Sequence, residues 1–477
     1  MAPRILFAVL ITSLLLGCGG EKNGPIQISA IGSGPRLVNP SRGPLDPPSA
    51  YLIESAAQGL VRFDAGGEIE PALAQSWVIS DDGLRYTFRI ARGSKWQNGE
   101  PVTADQVVAR LRAATAPSSR NPLKPLLGAI DEIVKMTDDV LEIDLKAPRP
   151  NFLQLLAQPE LGMIRGQAGA GPYRQSDRGN GAVMLSLAPP DEEDSPPRQE
   201  PPLLLRGEGA ALAVARFDLG ESDLVIGGTV GDLPTARASD PPATALVFDP
   251  VDGLLGLAFT RGDGALATPE IRQALAMVID RPALVQSLAI RGLQPRETLL
   301  PAGIEGLTPA APTWAALALP DRRLLAQRSL KGQRIAMRVA MPGGPGYRLV
   351  FASLRRDWAA IGIDAQRVGP SEPADLRMID EVAPATLASW YLRHFTCDRG
   401  PLCSAEADGM MDQARMAPNA SVRRELLANA DRLIAEAGLF VPLAAPIRWS
   451  LAAPRLNGFR PNAFGHHPAA ELIAAGS

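Results

Sequence analysis

Apolar and polar residues alternate most regularly between Leu84 and Ile90, which predicts a strand with one buried face and one wet face. Trp77 to Ile79 lies just before it and is expected to be its partner strand. Between them, Asp82-Gly83 provides the positive φ that a tight hairpin needs. The pattern therefore predicts an antiparallel hairpin near residue 80.

Helices are marked by capping residues and by apolar positions three or four apart. Thr103 followed by Gln106 has the form of a capping box, so a helix is expected to start there. Ser421 is expected to cap a last long helix. Residues 335–340, 348–361 and 363–368 follow one another as strand, helix and strand, the order of a parallel crossover. This order favours an α/β fold.

The N-terminus carries a targeting signal. Arg4 precedes an apolar run, Ile5 to Leu16, which is too short to span a bilayer and is typical of an export signal. The run leads through Gly17 to Cys18, which resembles the lipobox of bacterial lipoproteins, where a lipid is attached to the cysteine. An ordinary signal peptide followed by an unrelated cysteine is the alternative.

Composition limits the partners. The 477 residues are 46% hydrophobic and 21% charged, with a formal net charge of -3, as expected for a globular protein of two to three domains. This charge argues against a surface for nucleic acid. In an exported chain, Cys397 and Cys403 are expected to form a disulfide; a zinc site would have at most His394 as a third nearby ligand. No metal site and no cofactor is predicted.

One stretch contains a spaced series of Pro, Trp, Gly and aromatic positions: Pro71, Leu73-Ala74, Trp77, Tyr86-Thr87-Phe88, Arg92-Gly93, Trp96, Asn98-Gly99 and Thr103-Ala104-Asp105. This series resembles the solute-binding proteins of peptide-type and nickel-type ABC transporters. The resemblance implies a type II periplasmic-binding-protein fold, with two α/β lobes of mixed sheets around a hinged ligand cleft.

The resemblance and the element pattern together give a domain plan. It consists of a signal peptide at residues 1–17, a tether at 18–25, lobe I at 26–258 with an accessory subdomain near 50–165, lobe II at 259–443, and a return segment at 444–477. A monomer is expected.

The resemblance also suggests where a ligand binds. In peptide-binding members, an aspartate a few residues before a proline neutralises the amino terminus of the ligand. Asp380, four residues before Pro384, stands at that place, and Glu381 competes for the role. The tryptophan that the family has before this aspartate is missing. An exposed loop acid is the alternative for Asp380.

Four further residues are candidates for ligand contact. Trp390 and Tyr391 are expected to cover apolar ligand surface or to pack in the core. Val38 and Asn39, after the first strand, are candidates for backbone pairing with an extended peptide.

The leading hypothesis is a lipid-anchored receptor of the periplasm that captures a peptide or related solute and delivers it to an ABC permease. A binding or sensor lipoprotein on the same fold, without a role in transport, is the alternative. A lipid-anchored hydrolase is a remote one, because the sequence lacks G-x-S-x-G and H-E-x-x-H motifs. The chain is thus not expected to be an enzyme.

Overall fold

The computed structural model of the chain describes residues 24–149, 151–188 and 200–474, so Cys18 and the predicted export signal lie outside the described residues. The strands are β1 (Ile26–Ile31), β2 (Val61–Phe63), β3 (Ile69–Pro71), β4 (Ala74–Ile79), β5 (Arg85–Ile90), β6 (Ile130–Lys135), β7 (Val140–Leu145), β8 (Ile164–Arg165), β9 (Ala168–Gly169), β10 (Tyr173–Gly179), β11 (Ala182–Leu187), β12 (Leu203–Glu208), β13 (Leu224–Thr229), β14 (Leu246–Asp249), β15 (Gly253–Phe259), β16 (Ile335–Ala340), β17 (Ile363–Val368), β18 (Leu376–Val382), β19 (Phe440–Ala444) and β20 (Arg448–Ala452).

The α-helices are α1 (Pro47–Ala56), α2 (Ala104–Thr115), α3 (Lys124–Leu127), α4 (Phe152–Leu156), α5 (Ala210–Asp218), α6 (Leu233–Ala238), α7 (Pro269–Met277), α8 (Arg281–Leu288), α9 (Leu319–Leu330), α10 (Pro345–Ala359), α11 (Ala388–Leu392), α12 (Ala405–Arg415) and α13 (Ala420–Ala437). None of the described helices is long and apolar enough to cross a bilayer.

Three larger sheets organise the chain. A seven-stranded sheet has the order β10-β11-β12-β1-β13-β20-β14, a five-stranded sheet has the order β17-β16-β18-β15-β19, and a four-stranded antiparallel sheet has the order β4-β5-β7-β6. The first two are mixed, because parallel and antiparallel pairs occur in each. We call residues 74–156, with the four-stranded sheet and helices α2 to α4, the accessory subdomain.

The local predictions near residue 80 are confirmed. Strands β4 and β5 pair antiparallel across the turn, with Tyr86 and Phe88 buried. Helix α2 begins after Thr103, and Gln106 completes a capping box. The Gln106 Oε1 atom also accepts a hydrogen bond of 2.7 Å from Trp96 Nε1. One glutamine therefore fixes both the helix start and a buried indole.

The predicted crossover is also present. Strands β16 and β17 are parallel and are joined by α10, whose buried Trp358 donates from Nε1 to Leu275 O at 3.0 Å. The predicted cap of the last helix was wrong by two residues. Asn419, not Ser421, is the N-cap of α13, because its side chain accepts the backbone N–H of Val422.

The chain crosses between the seven-stranded and five-stranded sheets at residues 250–252 and again at 445–447. The sequence prediction placed the first boundary at residue 258. The structure differs there, because β15 pairs along its whole length with β18 in the five-stranded sheet. We call the part built on the five-stranded sheet, residues 253–444, the second lobe.

Candidate functional site

A cavity of about 630 Å³ lies between the two sides of the molecule. Leu126 of the accessory subdomain lines one wall, and Glu160, which follows this subdomain in the chain, lines the same wall. Asp380 and Trp390 of the second lobe line the opposite wall, and Arg448 lies beside the second crossing. A large cavity with polar groups between two lobes is the usual form of a small-molecule site. We call this cavity the cleft.

A loop after β18, residues 383–387, holds the two walls of the cleft together. Its Ala385 and Leu387 are buried in the apolar core of the accessory subdomain. Gln158 Nε2 donates to Pro384 O at 2.6 Å, and Asn151 Nδ2 donates to Thr386 O at 2.6 Å. We call this loop the clasp, because it joins the second lobe to the accessory subdomain.

Asp380 lies in the cleft wall but already has strong partners. Its carboxylate accepts hydrogen bonds from Arg448 Nη1 at 2.7 Å and from Tyr347 OH at 2.6 Å. Burial and the adjacent Asp380 raise the pKa of Tyr347 above its ordinary value, so the phenol stays a donor. Because Arg448 already balances the charge of Asp380, the carboxylate is not a free anion awaiting an ammonium group.

Glu381 points toward His394, another residue of the cleft. His394 Nδ1 lies 2.9 Å from Trp390 O, which only accepts, so this nitrogen carries a proton. His394 Nε2 lies 3.2 Å from Glu381 Oε2, within hydrogen-bond distance. The hydrogen bond with His394 lowers the pKa of Glu381 despite an opposing effect of burial.

The two predicted aromatic residues, Trp390 and Tyr391, line different cavities. Trp390 lines the cleft, with its ring packed edge-on against His394 at a centroid distance of 4.7 Å. Tyr391 is fully buried and lines a smaller neighbouring pocket of about 190 Å³. The structure thus places Trp390 at the surface of the cleft and Tyr391 behind it.

Val38 and Asn39 do not line the cleft. The Asn39 side chain accepts the backbone N–H of Ser41 at 3.0 Å and caps a short 3-10 helix. Val38 is partly buried against the core of the seven-stranded sheet. Leu45, further along the same loop, reaches the cleft instead.

Several residues of the cleft were not predicted from the sequence as ligand contacts. They are Arg120, Glu160, Arg393, Arg399, Arg448 and His466. His466 lies 3.4 Å from Glu54 and 3.2 Å from Gln158 Oε1. Burial lowers the pKa of His466, but the nearby carboxylates of Glu54, Glu160 and Asp249 outweigh it, so the pKa lies above its ordinary value.

A disulfide lies at the edge of this site. Cys397 and Cys403 are bonded, with a Cα–Cα distance of 5.0 Å, and enclose Arg399 in the loop between them. Among the described residues there is no group of three or more His, Cys, Asp or Glu side chains suited to hold a metal ion.

Comparison with known proteins identifies the family. Residues 68–202 match the middle region of the bacterial extracellular solute-binding proteins, family 5. The nickel-binding periplasmic protein of Escherichia coli is 25% identical over 369 residues, which is 69% of this chain and 70% of that protein. Residues 68–202 of this chain therefore have the sequence of the family 5 middle region. The resemblance drawn from the sequence is therefore confirmed.

A further relative matches a shorter part of this chain. The probable deoxycholate-binding periplasmic protein YgiS of Escherichia coli is 34% identical over 142 residues, and this match spans 26% of that protein's length.

Solved structures show the fold. Haemophilus influenzae OppA in complex with the peptide RPPGFSPFR has a TM-score of 0.79 at 17% identity, covering 94% of this chain and 98% of that one. The murein tripeptide binding protein MppA of Escherichia coli has a TM-score of 0.79 at 18% identity, covering 93% and 97%. The predicted fold class, two α/β lobes around a cleft, is confirmed.

Proposed function

We propose that this protein is an extracytoplasmic receptor that captures a peptide or related small solute in the cleft and delivers it to an ABC importer. The single observation that carries the proposal is the cleft itself, a cavity of about 630 Å³ lined by both lobes and by residues on either side of a two-strand crossing. Binding and release involve hinge motion at the crossings and no covalent step.

Related proteins support the class of solute. The relatives and structural neighbours include proteins described as binding nickel, glutathione, heme and peptides. The size of the cleft is within the range of drug-sized ligand sites. We therefore expect a solute of the size of a short peptide rather than a macromolecule.

Thermal unfolding tests this function. A ligand that binds only the folded chain raises the free energy of unfolding by RT ln(1 + [L]/Kd) and therefore raises the melting temperature. We expect stabilisation by a mixed library of tripeptides, with nickel–histidine chelate and free glycosides as comparison solutes. If none of these changes the melting temperature at saturating concentration, the proposed receptor function is wrong.

We further propose that the mature chain is tethered in the periplasm by lipid on Cys18. The apolar run before Cys18 and the small Gly17 support this anchor. The variant Cys18→Ala is expected to move the protein from the membrane fraction to the soluble fraction of the envelope. Equal membrane association of wild type and variant would rule out a lipid anchor at this cysteine.

A further inference from the structure

A narrow crevice of about 30 Å³ lies next to the cleft, between the accessory subdomain and the second lobe. Leu126 and Arg393 line both spaces, so the crevice adjoins the cleft. Three further arginines, Arg149, Arg415 and Arg423, complete the walls. We call this space the arginine crevice.

Two of these four arginines already have acidic partners. Arg423 Nη1 lies 2.7 Å from Glu305 Oε1, and Arg415 Nη2 lies 3.1 Å from Asp412 Oδ1. The second carboxylate oxygen of Glu305 accepts the backbone N–H of Ala388 at 2.7 Å. Glu305 therefore has little capacity left for another guanidinium group.

The other two arginines lack such a partner. Arg149 is buried and donates only to carbonyls, from Nη1 to Pro148 O at 3.0 Å and from Nη2 to Arg415 O at 2.8 Å. Arg393 is half-buried. In the described ranges of the chain, no carboxylate lies within salt-bridge distance of Arg149 or Arg393. The crevice thus has an excess of positive charge.

This arrangement is costly without an anion. Burial and the repulsion of neighbouring arginines lower the pKa of Arg149 and of Arg393 to about 10, although Glu305 near Arg149 and Asp412 and Asp398 near Arg393 oppose this in part. Both groups nevertheless remain charged at neutral pH. A negative group between them would offset the repulsion and use the free guanidinium N–H donors.

We propose that the arginine crevice is a subsite for a carboxylate carried by the solute, and that the receptor therefore selects organic acids without requiring a free amino group. The inference rests on the proposed receptor function. A space of about 30 Å³ holds one or two water molecules, which suits a carboxylate. The guanidinium group matches a carboxylate with two parallel hydrogen bonds.

The pairing of Asp380 also favours recognition of the solute by a carboxylate rather than by an ammonium group. Its carboxylate is balanced by Arg448 and hydrogen-bonded by Tyr347, so a ligand ammonium gains little there. In the arginine crevice, in contrast, Arg149 and Arg393 have no carboxylate at salt-bridge distance among the described residues. Because Arg149 follows the accessory subdomain's strand β7 and Arg393 follows α11 of the second lobe, a carboxylate bound by both links the two walls.

Three forms of one tripeptide library test the proposal by isothermal titration: unmodified, acetylated at the amino end, and amidated at the carboxyl end. We expect acetylation to leave Kd unchanged and amidation to weaken binding about ten- to hundred-fold, the loss of one charge-assisted hydrogen-bond pair. Arg393→Gln should weaken binding of the unmodified form by a similar factor and remove the difference between acid and amide. The Kd of Arg393→Lys, which keeps the charge but lacks the two parallel N–H donors of a guanidinium group, should lie between those of the wild type and Arg393→Gln.

Arg424→Gln is the matched control, because Arg424 is exposed and lines neither the cleft nor the crevice. Its preference for acid over amide should equal that of the wild type. If acid and amide bind equally well, the receptor function stands and the carboxylate subsite is wrong. If no form binds, the peptide receptor is wrong.

A second measurement reads the crevice directly. In crystals of the wild-type protein grown with sodium acetate, we expect an acetate between Arg149 and Arg393, and none in Arg393→Gln. An empty crevice in the wild type, or acetate retained in the variant, overturns the subsite independently of the peptide titrations.

Discussion

Asp431 in helix α13 offers a sharp test of the electrostatics of the second lobe. Its side chain is buried, and one carboxylate oxygen, Oδ2, accepts the backbone N–H of Ala310 at 2.7 Å. The other oxygen has no hydrogen-bond partner among the described residues. Burial raises the pKa of Asp431 from 3.8 to about 6, and the hydrogen bond from Ala310 opposes this only in part.

The size of the effect follows from that difference. At 1.36 kcal/mol for each pH unit, a rise from 3.8 to about 6 means that ionised Asp431 costs about 3 kcal/mol of stability near neutral pH. The folded state binds more protons than the unfolded state between about pH 4 and pH 6. This contribution to the free energy of unfolding therefore falls as the pH rises through that window and is constant above it.

The variant Asp431→Asn removes the charge and keeps an oxygen that accepts from Ala310. We expect it to be more stable than wild type near neutral pH, by at most about 3 kcal/mol, with the advantage disappearing below about pH 4. Urea unfolding followed by tryptophan fluorescence at both pH values measures this.

Glu425→Gln is the control, because Glu425 is exposed on the same helix. It should change stability little at either pH. An Asp431→Asn variant whose stability relative to wild type is the same at both pH values would refute the reasoning, since the burial of an ionised carboxylate is its only basis.

Two further changes test the groups around the cleft. Asp380→Ala should lower the free energy of unfolding by about 3 kcal/mol, because it leaves Arg448 unpaired in a largely buried place. In a double-mutant cycle measured by urea unfolding, adding Arg448→Ala should recover part of this loss. Strictly additive losses would contradict a coupled pair. The double variant Cys397→Ser, Cys403→Ser removes a cross-link between residues six apart. It should lower the free energy of unfolding by about 2 kcal/mol in non-reducing buffer. If a reductant changes the stability of wild type and variant equally, the result would argue against the disulfide.

The sequence was most informative where the structure depends on neighbouring residues. The hairpin near residue 80 and the capping box of Thr103 and Gln106 follow from residues within a few positions of each other. The family motif lies in this same region, which explains why the fold was predictable. The sheet to which β15 belongs was not, because its pairing with β18 joins segments far apart in the chain.

The cleft was harder to predict for the same reason. Asp380 and Trp390 lie in it, yet the Arg448 that pairs with Asp380 comes from a distant strand with no motif of its own. Arg149 and Arg393 are ordinary charged residues until folding brings them to one crevice. Asn39 had a local role that the sequence permitted, but the choice between capping and ligand contact needed the structure.

We expect the clasp to make opening of the cleft an activated event. Leu387 must leave the core of the accessory subdomain before the lobes separate, and exposing one leucine side chain costs about 2 kcal/mol. On this reasoning, the closed conformation is favoured in the empty protein even without a solute. The residence time of a bound solute then depends on withdrawal of the Leu387 side chain as well as on the polar contacts in the cleft. Variants that shorten Leu387 should therefore increase the dissociation rate of the solute and leave its polar contacts in the cleft unchanged.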